Sequence, residues 1–451
     1  MKPDERLKVD ALVVGGGIAG MQASLDLAGQ GYRVALVERQ PSIGGKMAAL
    51  SKVFPTLDCC SCITTPKMSA VAHHENIEVL TYTEVDWVDF FGGHFMTHVT
   101  LKPRYVDAAT CTGCRKCEYA CPVDVPDAFQ MGMTAHRAIR VPFPTAVPQK
   151  AVLDIDNCLL CGKCEAACPV EDCIDFGQVA VSSVIEADAI VLATGFETTP
   201  RDAKAEYGAG AYPNVIDGLM MERLLAPTGP YLHVLRPSDG KEPESIAYVQ
   251  CAGSRDQTLG VPYCSRVCCM YAIKQAMLLA GSLPMADITI YYMDIRTFGK
   301  GYEQFYQSAK AMGVEFVKGK VARITEDDDH NPVVRVEVIE AGSKVLERKH
   351  DLVVLSVGML PAYNPTATYG VPTAADGFIE QYSPNVSPTL TGRQGIFATG
   401  TAMGPMDIVD SIVLAGAAAS EAAAYLEDVR SGVHAKVSES HLGREEVMTH
   451  A

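Results

Sequence analysis

The chain has 451 residues, of which 48% are hydrophobic and 20% charged, and a formal net charge of −16. Its length calls for more than one domain, and its acidity argues against nucleic acid as a partner, which would need clustered Lys and Arg. The charged opening, residues 1–6, has no apolar signal core, and the longest apolar stretch, 408–426, is interrupted by Asp410 and Glu421. A cytoplasmic protein without a membrane span is therefore expected, and in that compartment sixteen cysteines point to metals or redox chemistry rather than to structural disulfides.

An apolar strand at 10–14 runs into the turn Gly15-Gly16-Gly17-Ile18-Ala19-Gly20, followed by a helix to Gly29 and a second strand, 33–37, ending in Glu38. Gly15 suits the tight turn, Gly17 the approach of backbone to a pyrophosphate, and Gly20 close helix–strand packing. The helix N-terminus offers free N–H groups to that anion, and Glu38 falls where a carboxylate would bind ribose hydroxyls. These residues define a dinucleotide site, with FAD and NAD both open. The loop Pro41-Ser42-Ile43-Gly44-Gly45-Lys46 follows, with Gly45 and Lys46 close to where a flavin would extend.

Three cysteines then stand together, Cys59, Cys60 and Cys62. The Cys59/Cys62 spacing fits a redox disulfide, a pair of cluster ligands or a reduced thiol patch. Alternating strands fill 77–106. From there the composition changes: Cys111, Cys114, Cys117 and Cys121-Pro122 repeat as Cys158, Cys161, Cys164 and Cys168-Pro169. Each copy reads Cx2Cx2Cx3CP, the run that wraps a [4Fe-4S] cubane, and in two-cluster ferredoxins the fourth cysteine of each run serves the other cluster. One cluster is thus assigned to Cys111, Cys114, Cys117 and Cys168, the other to Cys158, Cys161, Cys164 and Cys121. Two complete copies argue against zinc. Cys173 lies outside both runs.

The apolar strand 187–192 ends in Ala193-Thr194-Gly195, and a companion far downstream reads Gly395-Ile396-Phe397-Ala398-Thr399-Gly400-Thr401. Both resemble elements of flavoproteins with two dinucleotide-binding domains, although Thr401 replaces the aspartate usual in that family and Asp407 comes six residues later. With the first turn they indicate FAD, bound by a domain assembled from both ends of the chain, with Thr194, Gly195, Gly400 and Thr401 among its contacts. Between them a second doubly wound unit is expected: a strand at 245–250, a helix at 264–279 and a strand at 287–293. Its first turn, Gln250-Cys251-Ala252-Gly253-Ser254-Arg255-Asp256, has lost the glycine cradle that NAD(P) needs. Cys251, Cys264, Cys268 and Cys269 stand there instead. With Cys264 and Cys268 on one helix face and the helix N-terminus favouring thiolate, they are candidates for a third cluster, though the spacing matches no standard motif.

Residues 54–59, 251–256, 263–269 and 292–301 resemble the A-type subunit of heterodisulfide reductase, and the similarity runs over nearly the whole chain. The resemblance implies a thioredoxin-reductase-like α/β flavoprotein, two doubly wound dinucleotide-binding-type domains with an inserted two-cluster ferredoxin domain. It also implies a third [4Fe-4S] cluster on Cys251, Cys264, Cys268 and Cys269, and Lys274 near the flavin ring in a catalytic role. The expected division is an FAD domain in three parts (1–104, 181–240, 361–430), the insertion at 105–180, the NAD-domain-like unit at 241–360 and a polar tail at 431–451. Full-length relatives carry a further C-terminal ferredoxin domain; 427–451 has no cysteine, so a short form is expected. The implied activity is electron distribution from flavin through clusters, in some members by bifurcation, within an anaerobic complex of B- and C-type or other redox subunits, with the chain itself a homo-oligomer. Two other readings stand beside it: an FAD-dependent disulfide oxidoreductase working through Cys59 and Cys62, and an NAD(P)H-dependent reductase, which the lost cradle disfavours.

Overall fold

The computed structural model describes residues 6–339 and 342–432; the rest of the polar tail, 433–451, lies outside the described residues. Three distant stretches of chain build one parallel sheet, in the order Ile396–Ala398, Ala189–Leu192, Ala11–Val14, Val34–Glu38, Ile77–Thr81. Its strands are short apolar runs because both faces are covered: Val34–Glu38 and Ala189–Leu192 are buried at every position. The helix Ile18–Gly29 packs on one face together with the long helix Ile408–Arg430. The long helix is the one described helix apolar and long enough to cross a membrane by composition; its alanine face, Ala415, Ala418, Ala419 and Ala422, is buried in the core shared with the first helix. A second, four-stranded sheet, Arg6–Lys8, Val181–Ala187, His94–Leu101, Thr83–Phe91, adjoins this layer.

Between His94–Leu101 and Val181–Ala187 the chain makes a small cysteine-rich body. A Val106↔Ile174 bridge closes its neck, and two short helices, Lys116–Ala120 and Lys163–Ala167, pack against each other. Each helix follows a left-handed residue, Arg115 (φ 63°) or Gly162 (φ 69°), which turns the chain between the third cysteine's helix and the two cysteines before it. Cysteines form much of the core of this body.

The second doubly wound unit has a seven-stranded sheet in the order Val215–Asp217, Leu352–Leu355, Ser245–Val249, Asp287–Tyr292, Glu315–Glu326, Pro332–Val338, Lys344–Lys349. The first five strands are parallel and the last two continue as an antiparallel meander. Phe196–Thr198 pairs with Met359–Pro361 where the chain crosses between the two units. One expectation fails here. The cysteine helix spans Cys268–Ser282 rather than starting at 264, because Arg266 is left-handed (φ 60°) and breaks the turn before it. Cys264 therefore lies in the preceding loop and shares no helix face with Cys268.

Candidate functional site

The glycine turn opens into a cavity of about 1030 Å³, at the upper end of the range for ligand pockets. The three glycines divide their duties as their positions require. A Cβ on Gly15 (φ 108°) would lie 2.3 Å from the Ala193 carbonyl oxygen, and one on Gly20 only 1.8 Å from that of Gly15. A Cβ on Gly17 would meet no protein atom, because Gly17 faces the cavity. Glu38 is buried in the wall; its carboxylate accepts the N–H groups of Gly16 (2.7 Å) and Gln40 (2.8 Å). Burial dominates and raises its pKa, and those two N–H groups offset this only in part. Gly45, Lys46, Thr194, Gly195 and Thr401 also line the cavity. Lys46 reaches across to Glu197 at 2.8 Å. Gly20 and Gly400 do not reach it: Gly400 is a packing glycine whose Cβ would lie 2.6 Å from that of Ala19. Asp407 lines the cavity and caps the long helix, accepting the Asp410 N–H (2.9 Å) and the Tyr302 hydroxyl (2.8 Å).

Lys274 is not a surface lysine. It is 2% exposed, as is Glu222; its Nζ donates to Glu222 Oε1 at 2.5 Å and to the Lys52 carbonyl at 2.7 Å. An ammonium has three donors, so one is left, and Lys274 lines the cavity. Glu222 also accepts from the Ser51 N–H and hydroxyl and from Gln275 Nε2 (3.0, 2.7 and 2.6 Å). Burial would raise the pKa of Glu222, but the Lys274 charge and these hydrogen bonds outweigh it and hold the carboxyl ionised.

The cavity was not fully legible in the sequence, because the cysteine-rich insertion supplies part of its wall: Phe129, Met131, Arg140 and Phe143. Arg223, fully buried on the helix Gly218–Leu225, holds the insertion in place. It donates to Gln130 Oε1 (3.0 Å), to the Ala49 carbonyl (2.8 Å) and to the Thr228 carbonyl (2.6 Å), and its guanidinium lies 4.6 Å from the Phe129 ring centre. Arg140 Nε, Gln275 Oε1 and Thr399 Oγ1 are buried without a hydrogen-bond partner, and all three residues line the cavity. A large chamber with a glycine cradle, a buried acid and unpaired polar atoms in its walls fits a flavin dinucleotide.

The cysteines gather into three groups. Cys117 has Cys111, Cys114 and Cys168 beside it; burial and these neighbours push its thiol to about 12. Cys164 has Cys158 and Cys121 beside it, with burial raising its pKa, and Cys161 is exposed on the same loop. The fourth cysteine of each run thus lies with the other run. Cys173 lines the same small cavity as Cys111, Cys114, Cys117 and Cys168, although its spacing gave no sign of this. Cys268 and Cys269 have Cys251 and Cys264 beside them. Burial raises the thiol pKa of Cys268 strongly and that of Cys269 to about 12. Among the described residues no three His, Cys, Asp or Glu side chains converge tightly enough to hold a single metal ion. The third group adjoins the large cavity: Val267 and Val357 line it, and Cys268 Sγ faces the Val357 carbonyl at 3.5 Å.

The turn that would cradle NAD(P) is packed against protein. Ser254 and Ser265 hydroxyls bond at 2.6 Å, and a Cβ on Gly358 would lie 2.2 Å from Ser254 Oγ.

Fold and site together define a class, an oxidoreductase with paired dinucleotide-binding-type domains and iron–sulfur centres. Residues 10–59 match the family described as FAD dependent oxidoreductase, and 110–171 match 4Fe-4S dicluster domain. The chain is 48% identical over 446 residues to the second A-type iron-sulfur subunit of CoB--CoM heterodisulfide reductase from Methanopyrus kandleri, covering 96% of this chain and 68% of that one. It is 44% identical over 432 residues to the A-type subunit of H(2):CoB-CoM heterodisulfide,ferredoxin reductase from Methanothermobacter marburgensis, covering 94% of this chain and 65% of that relative's length. Thioredoxin reductase from Lactococcus lactis shares the fold, with a TM-score of 0.53 at 14% identity over 93% of this chain and 99% of that one. The chain belongs to the family of heterodisulfide reductase A-type subunits, and its cofactors are FAD and [4Fe-4S] clusters.

Two outcomes follow from this geometry. Glu222→Gln or Lys274→Met should each lower stability by about 3–5 kcal/mol, because each strands a buried charge. The double variant should lose much less than the sum; denaturant titration followed by circular dichroism measures all three. With the cradle filled by protein, NADH and NADPH at micromolar concentration should fail to bleach the bound flavin rapidly under anaerobic conditions.

Proposed function

We propose that this chain is the electron-distributing subunit of a larger cytoplasmic redox complex, taking electron pairs at FAD and passing single electrons through clusters to partner subunits. The observation that carries this reading is the shared wall: one helix, Cys268–Ser282, presents Lys274 to the large cavity and Cys268 and Cys269 to the third cysteine group. When bound, FAD would supply the exchange between two-electron and one-electron chemistry, and the clusters the one-electron steps. Cys111, Cys114, Cys117 and Cys168 would hold one cluster, Cys121, Cys158, Cys161 and Cys164 a second, and Cys251, Cys264, Cys268 and Cys269 a third. Lys274 keeps an amino-group donor at the cavity wall, with Glu222 fixing its position. Arg223 fixes the insertion against that wall, so the two ferredoxin-type groups keep a set relation to the cavity. Relatives named as subunits of heterodisulfide reductases support a multi-subunit setting, with other redox subunits and further copies of this chain as partners. Bifurcation of the electron pair is a form that this activity takes in some members of the family.

Anaerobically prepared protein should hold one FAD and about twelve irons, four per filled quartet. Cys268→Ala should remove about four of them and keep FAD. Iron near eight in the unaltered chain would overturn the third cluster, and zinc in place of iron would overturn the whole reading.

A further inference from the structure

Cys59, Cys60 and Cys62 belong to none of the three groups. Cys59 is the N-cap of the 13-residue helix Cys60–Ala72. It is half-buried, whereas Cys62, one turn on, is exposed. Cysteines three apart at a helix start have Cα atoms about 5 Å apart, within the Cα span that a disulfide bridges, and the Cys59 and Cys62 side chains are already in hydrogen-bond contact. Cys60 points the other way. It is fully buried beside Lys274 and Glu222, and burial pushes its thiol to about 12. The sequence thus separates one thiol facing the cavity's ion pair from two that face outward together.

We propose that Cys59 and Cys62 form a redox-active dithiol, a modification site that closes reversibly to a disulfide by exchange with a low-molecular-weight disulfide. Cys59 is the attacking sulfur. The Cys62 thiol and the free N–H groups of Cys62 and Ser61 face it, and they and the nearby Lys52 charge lower its pKa. The Cys59 thiolate attacks one sulfur of the incoming disulfide and forms a mixed disulfide, releasing one thiol. The Cys62 thiolate then attacks Cys59, releasing the second. The protein gives up two protons and two electrons, and the small disulfide becomes two thiols. The site adjoins the flavin cavity: Asp58 and Ile63, on either side of the pair, line it. The backbone of Cys59 bridges Lys52, whose carbonyl holds Lys274, so closure would act on the segment that anchors the buried ion pair.

The test uses the full, cofactor-loaded chain, equilibrated anaerobically in graded ratios of reduced to oxidised glutathione, acid-quenched, alkylated and mapped by peptide mass. This readout is independent of flavin and cluster chemistry. The peptide bearing residues 59–62 should pass in one step from three alkylated cysteines to one, Cys60, without bound glutathione. Cys62→Ser should trap glutathione on Cys59, and Cys59→Ser should react at least about tenfold more slowly. Three alkylated cysteines at every ratio, glutathione remaining on the unaltered chain, or a bond that includes Cys60 would each overturn the proposal.

Discussion

The architecture turns on one buried ion pair. Lys274 and Glu222 sit on different helices, Cys268–Ser282 and Gly218–Leu225, and both are tied to the loop at Ser51 and Lys52 from the first dinucleotide unit. Two charges taken out of water cost several kcal/mol each, and a matched apolar pair would often be at least as stable. Stability alone therefore does not explain the pair. What it achieves is placement: a cation is held at the wall of the large cavity, at a junction where three segments remote in sequence must meet. Any shift of the cysteine helix relative to the glycine turn would break hydrogen bonds to Glu222 that are satisfied from three sides.

Arg223 performs the corresponding task for the insertion. It is buried one residue after Glu222 and its donors go to the insertion, to the turn after Lys46 and to its own loop. The adjacent residues Glu222 and Arg223 thus fasten two cysteine-bearing units to one cavity. A ferredoxin-like body attached only through its neck at Val106 and Ile174 would be free to swing; its contribution of Phe129 and Arg140 to the cavity wall requires that it be fixed.

Much of this was legible because the decisive signals are local. A glycine turn between strand and helix, and cysteines two and three apart, specify their geometry within a few residues, so the first turn, the two ferredoxin-type cysteine runs and the joining of distant stretches in one doubly wound unit could be read directly. Glu222, Arg223 and Arg140 carry no such pattern. Their roles come from partners far along the chain, 171 residues away in the case of Glu222 and Ser51, and a lone charged residue in an apolar helix is not distinguishable in sequence from a surface one. The start of the cysteine helix was misplaced for a different reason: Cys264-Ser265-Arg266-Val267 contains no Gly or Pro to signal a break, and the left-handed Arg266 interrupts the turn there. Gly400 looked like a cofactor contact because it follows an Ala-Thr pair, but in three dimensions its missing side chain makes room for Ala19.

The central claim is that Lys274 acts as a fixed cation on the flavin. An anaerobic spectroelectrochemical titration of the loaded chain beside Lys274→Met tests it most directly. Removing the cation should shift the flavin couple to a more negative potential, because the reduced, more anionic form loses its stabilising charge, while iron and FAD contents stay the same. An unchanged flavin potential with both cofactors fully bound would contradict it.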